Sequence, residues 1–588
     1  MTKRSCDGCR RRKVKCDAQS PQCSDCLMSS MTCEYTVPAK KRGPPFRAQR
    51  SDQTTAQTKY NRPSIKESIS GNSQVIDSFV AGLSNDNQPL NSPTQQRNSA
   101  HAPFDAAIGE LLSALGKALP YVPLEDVLSS CIDLYMQWEF PTSPIICEPI
   151  VRQMMHAVVP ILRREISLTS DPATSHSNPD IPTIRAFALL TALCAVVSST
   201  LPVEIFPGGA ALAMPFLRTS REALRLYQDY DIEHPESSSI VIRYFHSNAL
   251  HALGKTSVSW HAMGEALRLV QEMRLYDEGS FRNLEWPEAQ LRRNTFWHLY
   301  IGDKSASILN KVPISLHQIC LDTPITTIFE ETEDYKLIQA GPEPETIDFE
   351  RCLRLGFNLC FQLWYTASEM LVDLNFLSRI HGKTGSLRSV ISNDASDLKK
   401  STMQLYFDFT SILRNCPPWV RDPKIAVSGT PSEATAQFRI RAISIQKANL
   451  FVTFHTLRLV LVNRFFERGF IEILGLTDDP VMLAMRKVEI ASDLLEAVSD
   501  IPFEALQANG EPCVKTALLR LKLGKTKRLT LEQVEKLRQV GVALLEIMHN
   551  VNNEAISTRA GSLFSTLLDI LARLNSRISD ELSNDRES

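Results

Sequence analysis

Six cysteines crowd the first 33 residues: Cys6, Cys9, Cys16, Cys23, Cys26 and Cys33. They form two copies of Cys-x2-Cys-x6-Cys, and no histidine precedes His101. Thiolates at this spacing suit zinc, which in structural sites takes four ligands in a tetrahedron. Two tetrahedral zinc ions need eight metal–sulfur bonds, and six sulfurs supply eight when two of them bridge. The symmetry of the repeat nominates the first cysteine of each copy, Cys6 and Cys23, as the bridges, so two Zn2+ per chain are expected. Metal also accounts for folding. A segment of about 40 residues with few large apolar side chains cannot hold a structure by burial alone, whereas structural zinc contributes on the order of 10 kcal/mol. A one-zinc ribbon with two spare thiols and a disordered cysteine arm are the weaker alternatives. The N-terminus opens on Thr2, Lys3 and Arg4 with no apolar leader. A chain kept in a reducing compartment would hold free thiols, which disfavours a disulfide framework.

The two copies differ in what lies between their ligands. Five of the six residues between Cys9 and Cys16 are basic: Arg10, Arg11, Arg12, Lys13 and Lys15. Between Cys26 and Cys33 stand Leu27, Met28, Ser29, Ser30, Met31 and Thr32, with no charge. A helix starting at Cys9 would project its basic residues outward, while the second copy is expected to supply apolar packing. Arginine and lysine donate to guanine O6 and N7 in the major groove, and neighbouring charges hold phosphates. A second basic run, Lys40, Lys41 and Arg42, is suited to phosphate contact or nuclear import. Residues 1–50 carry 12 Lys/Arg against 4 Asp/Glu, although the whole chain has a formal net charge of -2. A small basic head on an acidic body points to a polyanion-binding module attached to something else.

Residues 6–33 resemble the fungal Zn(2)-Cys(6) binuclear cluster family of transcription factors. That resemblance implies a basic helix in the major groove of double-stranded DNA, reading CGG-type promoter triplets. It implies that Lys13 is the principal base-reading residue with Arg12 beside it, and that Cys6 and Cys23 bridge the metals. Pro21 matches the proline that turns the loop between the two zinc-binding helices. Lys40 to Pro44 resembles the linker of the maltose-activator subgroup, with Pro45 where that subgroup usually has lysine. Further along, Ser259 to Leu275 and Arg292 to Tyr300, continuing to Asp303 and Pro313, resemble the family's fungal-specific transcription factor regulatory domain. Within them Trp260, Trp297 and Asp303 are expected to be core or salt-bridge residues.

These segments must be carried by something, and 588 residues exceed one ordinary core. Four regions are expected: a cluster domain at 1–46, a disordered, flexible linker at 47–104, a large helical body at 105–578 and a polar tail at 579–588. The linker is dominated by Ser, Gln, Asn, Thr and Pro, and cannot bury enough surface to fold alone. The body reads as almost entirely α-helical, so the fold class is mostly all-α. Leu450, Phe454, Leu457, Leu461 and Phe465 recur at helical spacing; so do Trp260, Met263, Leu267 and Val270, and Val481, Met485, Val488, Leu495 and Val498. Asp478-Asp479-Pro480 reads as a helix start, and Thr530 with Gln533 as a capping box ahead of Val534, Leu537, Leu544 and Met548. Cys416-Pro417-Pro418-Trp419 and the acidic stretch from Phe329 to Glu350 read as loops, the latter exposed. No apolar run reaches the roughly 18–20 residues that span a bilayer, and Phe187 to Val197 reads as a buried core helix.

No catalytic constellation accompanies the helices. Gly254-Lys255-Thr256 and Gly524-Lys525-Thr526 lack the earlier glycine of a phosphate loop, having Ala249 and Leu519 there. The eight later cysteines read as core thiols, and His251, His261 and His455 as structural residues. The expected function is a nuclear, DNA-binding transcription regulator and not an enzyme. It would more often activate, on secondary-metabolite or carbon-source genes, with transcriptional coactivators and a possible small-molecule inducer as partners. A repressor or interaction scaffold is the alternative. Relatives often dimerise through a coiled coil after the linker, but Gly71, Pro89 and Pro93 interrupt any heptad in residues 51–104. Weak or monomeric DNA binding is therefore expected unless the helical body pairs.

Overall fold

The computed structural model describes residues 6–7, 9, 16–19, 22–29, 32–34, 93–163, 181–310, 312–317, 336–338, 348–381, 388–427, 432–508 and 532–574. They divide into two compact units, within residues 1–89 and 90–588. Helices dominate the large unit, and no strand occurs among the described residues. The small unit contains α1 (Ser24–Met28), and Asp7 and Cys9 are also helical.

The large unit begins with α2 (Pro93–Ala118), which opens inside the stretch read as linker. Proline is tolerated at a first helical position, and Phe104 is buried, so the core starts before residue 105. Then come α3 (Leu124–Leu134), α4 (Glu148–Leu162), α5 (Ile181–Thr200), α6 (Gly209–Glu233) and α7 (Ser237–Ala252). Helix α5 packs on α3, α4, α6 and α7. It runs 20 residues, so by length and composition it could cross a membrane, which the shorter run from Phe187 to Val197 did not suggest. Here its apolar surface is covered on nearly every side, from Ala186 to Val197 without a break, as expected of a core helix.

Helices α8 (Thr256–Glu272), α9 (Trp286–Asn310), α10 (Phe349–His381) and α11 (Arg388–Ile412) follow. After them come the short α12 (Pro418–Arg421), then α13 (Glu433–Glu467), α14 (Pro480–Ser499), α15 (Phe503–Ala508), α16 (Glu532–Asn550) and α17 (Glu554–Leu574). The rod of the unit is α13. At 35 residues it is about 50 Å long. Its first half (Ala442, Ile443, Ile445, Ala448) enters the hydrophobic core built around α5. Its second half (Leu450, Leu457, Leu461, Phe465) enters a further core shared with α9, α10, α14, α16 and α17.

Several expectations hold. The Asp479 carboxylate accepts from the Met482 N–H at 2.7 Å, with Pro480 opening α14. Leu537 and Leu544 of α16 are buried and Met548 packs against them; Thr530 lies outside the described residues. Cys131, Cys147, Cys194, Cys352, Cys360 and Cys416 are buried and form no disulfide among the described residues; Cys320 and Cys513 lie outside the described residues. Gly254 turns the chain between α7 and α8 with a positive φ of 75°, a turn role rather than a phosphate one.

Other expectations need correction. Trp260 is 40% exposed, and Val481 and Met485 also face solvent. The buried face of α8 runs through Met263, Ala266, Leu267 and Val270, and that of α14 through Leu483, Ala484, Val488 and Ala491. Cys416-Pro417-Pro418-Trp419 leads straight into α12, with Cys416 and Val420 in the core. The acidic stretch is not wholly exposed. Leu337 is buried, and Glu350 lies in the first turn of α10, where its carboxylate accepts the N–H groups of Leu337 and Ile338 at 2.9 and 3.2 Å. Burial pushes the Glu350 carboxyl up, against the pull of Arg354.

Trp297 is buried against Phe361, with ring centroids 4.1 Å apart. Asp303 is buried and accepts the N–H groups of Ser315 and Leu316 at 2.9 and 3.0 Å, pinning the chain after α9. His455 is buried beside Arg458 and held neutral, its pKa lowered to about 4 by burial; burial lowers His251 similarly, while His261 is exposed beside Glu265.

The most demanding buried polar group is Asp231 of α6. It accepts from Arg243 at 2.6 Å, Arg185 at 3.2 Å and Ser239 at 2.7 Å, and all four residues are buried. Removing the shared acceptor leaves two guanidinium groups short of countercharge in the core. Asp231→Ala is expected to cost the large unit about 3–5 kcal/mol, read as a lowered midpoint of helix loss in denaturant. A shift under about 1 kcal/mol would show that water or Glu236 replaces it.

Candidate metal centre

Among the described residues of the small unit the core is made of cysteine. Cys6, Cys9, Cys23 and Cys26 are fully buried, and the partly buried hydrophobics packed on them are Cys16 and Cys33. The sulfurs form two groups: Cys6, Cys9, Cys16 and Cys23, and Cys6, Cys23, Cys26 and Cys33. Within each group the sulfurs lie within 4.8 Å of one another, and Cys6 and Cys23 belong to both. Symmetry of the sequence repeat nominated the same two positions as bridges.

The separations fit zinc and not disulfides. A tetrahedron with Zn–S arms of about 2.3 Å has edges of about 3.8 Å. The shared edge, Cys6 to Cys23, is 3.6 Å; Cys9 to Cys23 is 3.5 Å and Cys6 to Cys26 is 3.5 Å. A disulfide would bring sulfurs to about 2.05 Å. Backbone groups complete the cradle with the same bond in each repeat. Cys6 N–H donates to the Cys16 sulfur at 3.5 Å, and Cys23 N–H to the Cys33 sulfur at 3.4 Å. The Cys9 N–H, 3.4 Å from the Cys6 sulfur, holds that thiol down to about 6. Burial instead pushes Cys9 up to about 12 and raises Cys23 and Cys26. Sulfurs brought to tetrahedral-edge distance, several of them resisting ionisation, become compatible with one another when cations share their charge.

Around the sulfurs, the Asp17 carboxylate accepts from Ser24, which draws its own pKa down, and Asp7 N–H donates to the Glu34 carbonyl at 2.8 Å. The expected apolar packing of the second repeat is absent at its first positions. Leu27 and Met28 are 65% and 81% exposed, because the four central cysteines already fill the core. Arg10, Arg11, Arg12, Lys13 and Lys15, and Lys40, Lys41 and Arg42, lie outside the described residues. The Asp17–Ser24 link was not foreseen; an acid after one ligand and a serine after the next was the available signal.

Paired sulfur tetrads that share two cysteines, with a basic run between Cys9 and Cys16 in the sequence, are the arrangement of a binuclear zinc-cluster module. Residues 4–42 match the fungal Zn(2)-Cys(6) binuclear cluster domain, and residues 248–407, from the end of α7 into α11, match the fungal specific transcription factor domain. Over these two segments the chain is thus similar to fungal Zn(2)-Cys(6) transcription factors, and the matched cluster domain binds two zinc ions.

Among its relatives, the citrinin biosynthesis transcriptional activator mrl3 of Monascus ruber is 25% identical over 337 residues, covering 55% of this chain and 63% of the relative. The tropolone cluster transcription factor tropK of Talaromyces stipitatus is 23% identical, over 53% of this chain and 56% of its own. The maltose fermentation regulatory protein MAL13 of Saccharomyces cerevisiae is 55% identical over 42 residues, 7% of this chain and 9% of the relative. The chain thus spans less than two thirds of each relative's length.

Native mass spectrometry of the full chain is expected to show two zinc ions. Because Cys23 is shared, Cys23→Ala should empty both positions, whereas Cys33→Ala should leave one tetrad able to hold metal. One zinc in the unaltered chain, or equal losses in the two variants, would contradict shared bridging.

Proposed function

We propose that the chain is a sequence-specific, DNA-binding regulator of RNA polymerase II transcription, acting in the nucleus as a pathway-specific activator of metabolic genes. The observation that carries this reading is the pair of sulfur tetrads sharing Cys6 and Cys23, with the basic run lying between Cys9 and Cys16 of one tetrad. In it Cys6, Cys9, Cys16, Cys23, Cys26 and Cys33 hold the two zinc ions. Lys13, with Arg12 beside it, reads guanine edges of CGG-type elements, and Arg10, Arg11 and Lys15 engage the neighbouring backbone. Lys40, Lys41 and Arg42 add phosphate contacts.

A secondary-metabolite gene set is favoured over carbon-source genes. Similarity to the citrinin and tropolone regulators extends over more than half of this chain, while similarity to the maltose regulator covers 42 residues. The helical body is read as a regulatory and not a catalytic domain. The buried carboxylates of Asp231, Asp303 and Glu350 are engaged in holding helices and loops together. Coactivators and an inducer would act on this body, and any pairing of two chains would arise there.

Lys13→Ala is expected to cost about 1–3 kcal/mol on the preferred duplex and to blur selectivity at one base position. Lys40→Ala should weaken all duplexes alike and flatten the dependence of affinity on salt. Anisotropy titrations at several salt concentrations separate the two; identical behaviour would remove base reading from Lys13. If a chelator leaves selective binding intact, the cluster is not the reader.

A further inference from the structure

Asp17 directly follows Cys16, and Ser24 directly follows Cys23. The Asp17 carboxylate accepts the Ser24 backbone N–H at 3.2 and 3.3 Å and the Ser24 hydroxyl at 2.5 Å. This ties the chain leaving the first repeat to the first residue of α1. The shift of 17 positions that carries Cys6, Cys9 and Cys16 onto Cys23, Cys26 and Cys33 also carries Asp7 onto Ser24 and Asp17 onto Glu34. Asp7 N–H donates to the Glu34 carbonyl at 2.8 Å. The two links are therefore the same device used twice. In each, the residue after the first ligand of one repeat donates to the residue after the last ligand of the other.

They differ in the acceptor. At Glu34 it is a main-chain carbonyl, which any residue supplies; at Asp17 it is a side chain, which sequence can change. Beside Asp17, Ala18 has a φ of 51°, a left-handed conformation that a residue with a Cβ avoids unless its surroundings impose it. The backbone at Ala18 is thus held in a shape that it does not itself favour.

We propose that Asp17 is a positioning residue for DNA recognition, clamping the second repeat to the exit of the basic run so that the run meets the groove at one angle. The proposal rests on the DNA-binding reading above. Two tetrahedra that share only the Cys6–Cys23 edge can hinge about it, and the two links restrain that hinge. An acid near the basic run also opposes a polyanion, so the sign of its removal is informative. A bystander carboxylate predicts tighter DNA binding when it is lost, whereas a clamp predicts weaker binding.

The test uses the full chain and a duplex carrying CGG triplets, with anisotropy titrations at several salt concentrations and native mass spectrometry. Asp17→Ala is expected to retain two zinc ions and to weaken binding about three- to tenfold, with the salt slope unchanged. Asp17→Asn, which keeps an acceptor oxygen, should recover part of the loss. Ser24→Ala should weaken binding less, and the double variant should bind no worse than Asp17→Ala alone. Unchanged or tighter binding, additive losses, or loss of zinc from Asp17→Ala overturns the clamp. An unaltered chain that lacks zinc or ignores the duplex instead overturns the DNA-binding reading, and the clamp with it.

Discussion

Among the described residues of the small unit the metal ligands are also the hydrophobic core, so sulfur–zinc bonding is the constraint on which they depend. The described residues offer no aliphatic or aromatic cluster there that could hold the chain if the sulfurs parted. A few buried thiols supply little hydrophobic free energy, and without cations their crowding is unfavourable. With zinc, each ligand fixes its own stretch of backbone, and the N–H groups of Cys6, Cys9 and Cys23 turn toward sulfur. Such hydrogen bonds favour the charged ligand, so backbone geometry and metal binding reinforce one another.

The helical body solves a different problem, that of keeping two cores in register. Helix α13 passes through both, and Gln446, near its middle, ties it to two other segments of the chain. Its Nε2 donates to the carbonyls of Pro141 and Leu353, each at 2.7 Å. Gly356 of α10 allows that approach, since a Cβ there would lie 2.2 Å from the Gln446 oxygen. Elsewhere, buried carboxylates pin irregular segments to helices. Asp303 takes two consecutive N–H groups after α9, and Glu350 takes two before α10. One buried acid thus satisfies two main-chain donors that would otherwise be costly to bury.

How far the sequence reveals this depends on the range of each interaction. The cysteine spacing is local and chemically specific, and the structure gathers the six sulfurs into two tetrads sharing Cys6 and Cys23. The all-helical body is legible because apolar periodicity is local as well; Leu450 to Phe465 illustrates it. Trp260, Val481 and Met485 misled because periodicity marks a stripe without saying where its neighbouring helices end. Glu350 could not be read as a buried anchor, since its partners, Leu337 and Ile338, lie 13 and 12 residues upstream. The Asp17–Ser24 link depends on a left-handed turn at Ala18, which nothing in that residue's own preferences announces.

The inequality of the two repeats follows from the same economy. Once metal supplies the core, the residues between ligands are released from packing, and their chemistry can diverge without unfolding the unit. Positions 10 and 11 are arginines, whereas the equivalent positions of the second repeat are Leu27 and Met28, exposed although apolar. In a domain stabilised by burial, exchanging two arginines for leucine and methionine at matching positions would move side chains into or out of the core. Here Leu27 and Met28 stand at the surface, outside the cysteine core. A metal-centred repeat can therefore present one charged face to a polyanion and one uncharged face elsewhere, on two copies of the same scaffold.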